Sequence, residues 1–454
     1  VKIFGIVCSV SAGFVIGKEG PLIHIGSAIG ANMATLPGVW RLPWFKGELW
    51  PLRFRNDRDK RDFVSSGAAA GVATAFGSPT GGLCFALEEA STFWQLSLTW
   101  RTYFCTMLAV SVLWMLQSWA DGGDSYFPRM KYGQPGVKFP MLHLWEMPFI
   151  AIPAIIGGLM GAAFCQLNKH ISEWRKLFVA GRKPRQIAQV LLVIFINVTV
   201  LAILPKIFDR CNVQVPNYEC NGYQNQYYCG GTTVVANPTE SSTTCNYTCK
   251  SQEFYDSFHC AKTNDNGDKL FSSTGTLTWN TWDNVIFALF HDDGEFDKMS
   301  LVLFTIALFF LANITYGIAV PSGLFVPCIL MGAGYGRLQG EIMKSLAPHS
   351  NIHPGVWAML GAASMLAGVT RITITITVIL FETTGEWCLL LPTMAIVIIS
   401  KTIADQFNIS LYDMHVELKN IPFVEPDPPE HIEGLMAGDV MSKGCICCNM
   451  IPTI

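Results

Sequence analysis

A lysine and a glutamate, Lys18 and Glu19, interrupt a stretch that is otherwise apolar. They lie in Gly17-Lys18-Glu19-Gly20-Pro21, between a small-residue run from Ile3 to Ile16 and a second from Leu22 to Ala34. A carboxylate at membrane depth is costly and is read first as functional. The bracketing glycines permit irregular, closely approaching backbone, and Pro21 suits a first helical turn, where its missing N–H is not needed. A helix that starts here aims free N–H groups and the positive end of its dipole into the break. Such a break holds an anion, and the titratable carboxylate of Glu19 competes for the same place. A phosphate-binding loop is excluded. Gly13 to Lys18 is one residue short of that motif, and Glu19 stands where Ser or Thr would hold the metal.

A second apolar run is broken in the same manner at Tyr316-Gly317-Ile318-Ala319-Val320-Pro321-Ser322-Gly323-Leu324-Phe325-Val326-Pro327, with a helix beginning after the break. Interrupted hydrophobic segments in both halves of a chain point to a transporter built from repeats, with its substrate site at the breaks. Another acidic pair, Glu88-Glu89, ends the Gly- and Ala-rich run from Phe63 to Ala90, itself broken at Gly77-Ser78-Pro79-Thr80-Gly81-Gly82. Adjacent helical residues face directions ~100° apart, so these two carboxylates cannot share one role.

The elements that must position these groups are membrane helices. Half of the 454 residues are hydrophobic, mean hydropathy is positive, and only 14% are charged, against a usual quarter or so. The expectation is an all-α polytopic membrane protein. The net charge of -3 says nothing about partners. No basic n-region or cleavage site opens the chain, and it reads as an internal fragment. Spans are expected at Phe104–Trp119, Phe149–Leu167, Gln189–Pro205, Leu301–Ala312, Gly355–Glu382 and Leu389–Phe407. The basic segments with Arg41, Lys46, Arg53, Arg55, Arg58, Lys60 and Arg61, and from Lys169 to Arg185, are cytoplasmic by the positive-inside rule, not nucleic-acid patches.

Six of the 15 cysteines, Cys211, Cys220, Cys229, Cys245, Cys249 and Cys260, fall in one polar loop. An even cluster there reads as disulfides on an oxidising side, and the sequon at Asn246 agrees. No Cys-x-x-Cys pair with His partners supports a metal site.

Four motifs then resemble the CLC family of chloride channels and chloride/proton exchangers: Gly17 to Pro21; Gly81-Gly82 through Phe85 to Glu88-Glu89; Gly323 to Pro327; and Phe381-Glu382-Thr383-Thr384. Tyr412 sits where the family's pore-facing tyrosine would be. Arg61 to Ser65, Ser91 to Trp94 and Leu411 to His415 resemble the late-endosomal and lysosomal branch. The ending from Leu435 to Met441 resembles the opening of a cytosolic CBS-domain pair. The upstream Gly-Ser-Gly-x-Pro motif is absent from the chain, and Cys84 and Thr383 depart from the family's usual Leu.

The resemblance implies a CLC-type inverted repeat with broken and re-entrant helices. It implies a transmembrane domain over 1–420 with a Cys-rich lumenal loop at 207–298, then a linker and the start of a CBS domain at 421–454. Glu19 would be the gate, occupying an anion site when ionised and vacating it when protonated. Gly17, Lys18, Gly20 and Pro21 would line that site with Gly323, Leu324, Phe325, Val326 and Pro327, whose backbone N–H groups, chiefly those of Leu324 and Phe325, donate to the anion. Neutral donors suit conduction, since a full charge holds chloride too tightly. Tyr412 would add a hydroxyl from the cytoplasmic side, Glu89 would relay protons, and Glu382 would be structural. The expected protein is a homodimeric chloride/proton exchanger of a late-endosomal or lysosomal membrane, in contact with lipid and compatible with an accessory subunit. No cofactor, metal, nucleic acid or enzyme activity is implied, and nucleotide binding at CBS domains is not readable. A passive chloride channel of the same fold, and a non-transporting scaffold binding a lumenal partner, are the alternatives.

Overall fold

A computed structural model describes residues 2–35, 56–120, 142, 144–179, 181–208, 210–213, 226–229, 232–235, 258, 260, 270–291, 296–347, 352–385 and 387–421. The chain opens with α1 (Lys2–Ser11), α2 (Glu19–Thr35), α3 (Asp57–Phe76) and α4 (Pro79–Phe85), which runs on into a π-helical turn over Ala86–Ala90. Next come α5 (Leu96–Ala120), α6 (Ala151–Phe178, entered through a 3-10 turn at Leu144–Ile150) and α7 (Lys183–Ile207). Four short strands follow: β1 (Cys211–Val213) pairs antiparallel with β4 (Leu270–Ser272), and β2 (Gln226–Cys229) with β3 (Thr232–Val235). The rest is helical: α8 (Ser273–Trp279), α9 (Trp282–His291), α10 (Lys298–Thr315), α11 (Phe325–Leu346), α12 (Pro354–Thr370), α13 (Ile374–Thr384), α14 (Leu390–Asp405) and α15 (Leu411–Leu418).

Five of the described helices are long and apolar enough to cross a membrane: α5, α6 with its 3-10 entry, α7, α10 and α14 with its own 3-10 entry. Four begin earlier or end later than the apolar runs suggest, among them α10, which runs from Lys298 to Thr315 rather than from Leu301 to Ala312. α5 starts at Leu96 rather than Phe104, α6 extends past Leu167 to Phe178, and α7 starts at Lys183 rather than Gln189. Amphipathic Lys and Arg side chains carry a helix beyond its apolar stretch because their heads reach water while the stems stay packed.

The expected single span from Gly355 to Glu382 is two helices, and this is a correction. α12 ends at Arg371, which adopts φ 64°, and α13 restarts at Ile374. At 1.5 Å per residue, the 11 residues of α13 reach about 16 Å and cannot cross alone. Its first N–H groups are met from elsewhere in the chain. Thr373 donates to Glu88 Oε1 through both its backbone N (2.6 Å) and its hydroxyl (2.6 Å), and Thr375 donates to Oε2 through N (3.0 Å) and Oγ1 (2.8 Å). The reverse also holds. Glu382, near the end of α13, accepts from the backbone N–H of Thr80 (3.1 Å) and Gly81 (3.1 Å) and from the Ser78 hydroxyl at the start of α4. Each short helix therefore caps the other with a carboxylate. Glu382→Ala leaves these donors without their acceptor at a half-buried site, and should cost roughly 1–3 kcal/mol. A lower melting temperature of the full-length protein in detergent, with Glu382→Asp intermediate, is the expected result.

The core is carried by α11 and α12. All 17 residues of α12 are buried, as are Cys328 to Gly336 on α11. The order broken start, long helix, short helix occurs twice, as α2–α3–α4 and as α11–α12–α13. The halves meet where their breaks face one another. Gly17 and Gly323 form an antiparallel bridge, with Gly17 N–H donating to Gly323 O (2.8 Å) and Gly323 N–H to Gly17 O (3.0 Å).

Candidate ion pathway

The Gly17–Gly323 bridge brings the first turns of α2 and α11 side by side. Glu19 is the first residue of α2 and is fully buried. Its carboxylate lies folded back on Gly17, since a Cβ there would meet Glu19 Oε2 and the Val326 side chain. A Cβ on Gly323 would in turn lie 2.6 Å from Gly17 O. Only glycine permits two backbones and a buried carboxylate within this volume. Leu324, Phe325 and Val326 are also buried, and the Phe325 ring packs edge-on against Phe76 of α3 with centroids 5.4 Å apart. The first turn of α11 leaves N–H groups without intrahelical acceptors, and Pro327 has none to leave.

Tyr412, in the first turn of α15, projects into the same region. Its phenol interacts electrostatically with both Glu19 and Glu89. Glu89 lies on the π turn after α4, near Asp413 and Lys401. Glu88 is pinned to α13 by its four bonds, so its neighbour Glu89 faces away from α13 toward α14 and α15. The roles of the acidic pair are thus divided by geometry as the helical repeat requires.

Below Tyr412 opens a cavity of about 880 Å³, lined by Gly20, Pro21, Ser322 and Tyr412 at its inner end. Lys2, Arg175, Lys176 and Lys419 supply its charge, and none of its lining residues is Asp or Glu. His415 contacts Asn168 Oδ1 through Nε2 (3.2 Å) and meets the Tyr316 ring edge-on. Burial, with Lys419 and Arg175 nearby, lowers its pKa from 6.5 to about 4. It is therefore neutral at neutral pH, which keeps one positive charge out of the cavity. Gln186 and Gln189 of α7 also line it, whereas Cys211 follows the far end of that 25-residue helix. The cavity and Cys211 lie toward opposite ends of α7, about 30 Å apart along its axis.

Lys18 points the other way. Its Nζ lies 3.3 Å from Asp283 Oδ2 at the start of α9. Cys211 and Cys260 are joined by a disulfide that, with the β1–β4 pair, closes the Cys-rich segment. Asn246, Cys220, Cys245 and Cys249, and the residues from 422 onward where a linker and CBS opening are expected, lie outside the described residues, as does the side chain of Cys229.

Residues 1–405 match the family model described as voltage gated chloride channel. The chain belongs to the CLC family. Relatives include chloride channel protein A of Dictyostelium discoideum, 33% identical over all of this chain and 52% of its own length. Another is H(+)/Cl(-) exchange transporter 7 of Rattus norvegicus, 33% identical over 98% of this chain and 51% of its own. The chain spans about half the length of the curated relatives it matches. Among solved structures, a eukaryotic CLC transporter shares 24% identity and a TM-score of 0.59 over 92% of this chain and 55% of its own. A slow cyanobacterial Cl-/H+ antiporter gives 18% and 0.61 over 90% of this chain and 73% of its own. These likenesses establish the CLC fold.

Sequence reasoning placed Glu19, Gly17, Gly20, Gly323, Phe325 and Tyr412 in one CLC neighbourhood, and the structure brings them together. It missed Asp283, Trp282 and His415. None carries a local signal: Asp283 reads as a polar residue in a loop, and its partner is 265 residues away. Arg371 was likewise unremarked, although its guanidinium gathers carbonyls of Gly368, Ala404 and Asn408 and pairs with Asp405 (3.0 Å).

Proposed function

We propose that this chain is the membrane-spanning part of a chloride/proton antiporter. The observation that carries the reading is the grouping of two carboxylates, Glu19 and Glu89, around the half-buried Tyr412 beside the start of α11. Chloride would pass from the basic cavity to the N–H groups of Leu324 and Phe325, held by dipoles rather than a full charge. Glu19 would occupy that path when ionised and leave it when protonated, and Glu89 would deliver protons to it from the cavity side. No metal or organic cofactor enters this scheme. The face closed by the Cys211–Cys260 disulfide would be lumenal, in a late-endosomal or lysosomal membrane, with a glycan on Asn246 and the cavity opening to the cytosol. The working unit would be a homodimer with one path per subunit.

The test is proton movement in liposomes holding the full-length protein. An imposed chloride gradient should drive protons uphill, read as a change of lumenal pH. A second reading, a passive chloride channel, is favoured by the name of the Dictyostelium relative, and chloride flux that never moves protons uphill would select it. A protein with no anion flux at all would be neither, and the scaffold reading would then stand.

A further inference from the structure

The loop that presents Glu19 is held from two directions. On the inner side it is fixed by the Gly17–Gly323 bridge. On the outer side, the side of the Cys211–Cys260 disulfide, the start of α9 reaches it twice. The Trp282 indole Nε1 donates to Phe14 O (3.2 Å), and Lys18 Nζ meets Asp283 Oδ2 (3.3 Å). α9 itself cannot yield easily. Val285, Ile286, Leu289 and Phe290 are buried in the core, and the fully buried Arg337 donates to Leu289 O (2.9 Å). A Cβ at Gly355 would collide with Phe290 O, so α9 lies directly on the start of α12. A rigid helix thus ends in two groups that grip the segment immediately before the buried glutamate.

The side chains of Lys18 and Asp283 are 44% and 47% exposed. A pair so open to water contributes little to stability. Its consequence is electrostatic. Lys18 is the cation next to Glu19, and an anion arriving from this side meets a pair whose charges largely cancel. Opposite charges at a mouth raise or lower local ion concentration, and the effect is screened by salt.

We propose that Trp282 and Asp283 are positioning residues of the gate, and that Asp283 tempers the positive charge an anion meets on the outer side. The proposal rests on the reading of Glu19 as the gate. α9 follows β4, which pairs with β1 beside the Cys211–Cys260 disulfide, so the disulfide-bearing strand pair and the gate loop are joined through α8 and α9.

The test uses the full-length protein in liposomes, with chloride varied separately on each side. Asp283→Asn should lower the half-saturating chloride concentration on the outer side by about two- to fivefold at low ionic strength. The shift should shrink at high salt, be absent on the cavity side, and persist in a Lys18→Gln background, because the potentials of the two charges add. Trp282→Phe, which keeps the ring and removes the donor, should lower the number of protons moved per chloride, with the melting temperature recorded alongside. An unchanged outer half-saturation in Asp283→Asn, or a shift that does not shrink at high salt, overturns the electrostatic role. An unchanged proton-to-chloride ratio in Trp282→Phe overturns the positioning role. Where the asparagine variant is not recovered, Asp283→Ala reads the same quantity. If the wild type never moves protons uphill, the antiporter reading fails, while the chloride half-saturation still decides the role of Asp283.

Discussion

Glu19→Ala should leave chloride moving but cut it loose from protons. The wild-type carboxylate is fully buried at the start of α2, folded against Gly17 and next to the first turn of α11. Ionised, it is a tethered anion in the place that the free anion needs. Protonated, it no longer competes, because burial in a poorly solvated site penalises only the charged form. Alanine supplies neither state. The two helix starts and their N–H groups remain, so anion binding persists, and nothing alternates with it. In liposomes the variant should dissipate a chloride gradient passively and leave lumenal pH at its background value. The decisive comparison is with Glu19→Gln, which keeps shape without charge and should also be uncoupled. A Glu19→Ala protein that still drove protons uphill would remove this residue from the mechanism.

Glu89→Ala is expected to give a different phenotype in the same assay. Glu89 stands on a π turn away from α13, within electrostatic reach of Tyr412, Asp413 and Lys401. It does not touch the glycine bridge, so its removal leaves the anion route and Glu19 in place. Chloride flux should continue while proton movement falls to background, since the gate loses its supply from the cavity side. Its neighbour offers the control. Glu88→Gln disturbs the cap on α13 and should lower thermal stability more than Glu89→Ala does, because it removes an acceptor from buried donors. Uphill proton pumping by Glu89→Ala would overturn the relay while leaving the antiporter reading intact.

These groups were legible because each violates its surroundings. Lys18 and Glu19 stand out within an apolar run, and Gly and Pro mark the two breaks. A charge or a kink in a greasy segment is a local signal, visible without knowing what packs beside it. The break beside Arg371 is also marked by a charge, but the charge alone does not show that one helix stops there and another starts. The break exists because Glu88, 285 residues earlier, satisfies the N–H groups of Thr373 and Thr375, and no window of sequence contains that contact. The pairing of Lys18 with Asp283 was hidden for the same reason. Helix ends were misplaced where long basic side chains extend a helix past its apolar stretch, as in α6. The expected orientation came from Lys and Arg clusters and the cysteine loop, and α7 sets the cavity and the disulfide toward its two ends.

The mutual capping of α4 and α13 has a bearing on leakage. A protein that aims several helix starts into its own interior creates several docking ports for chloride, and every port but the intended one is a potential short circuit. Here the port at α4 is stoppered by Glu382 and the port at α13 by Glu88, each clasped by hydroxyl and backbone donors that leave no room for a visitor. Among the described residues, Glu19 differs in that it belongs to the very helix whose start it fills, and under the proposed reading it would be a stopper on a short tether. Permanent stoppers would make such a protein tight, and a single removable one would let it handle one ion at a time.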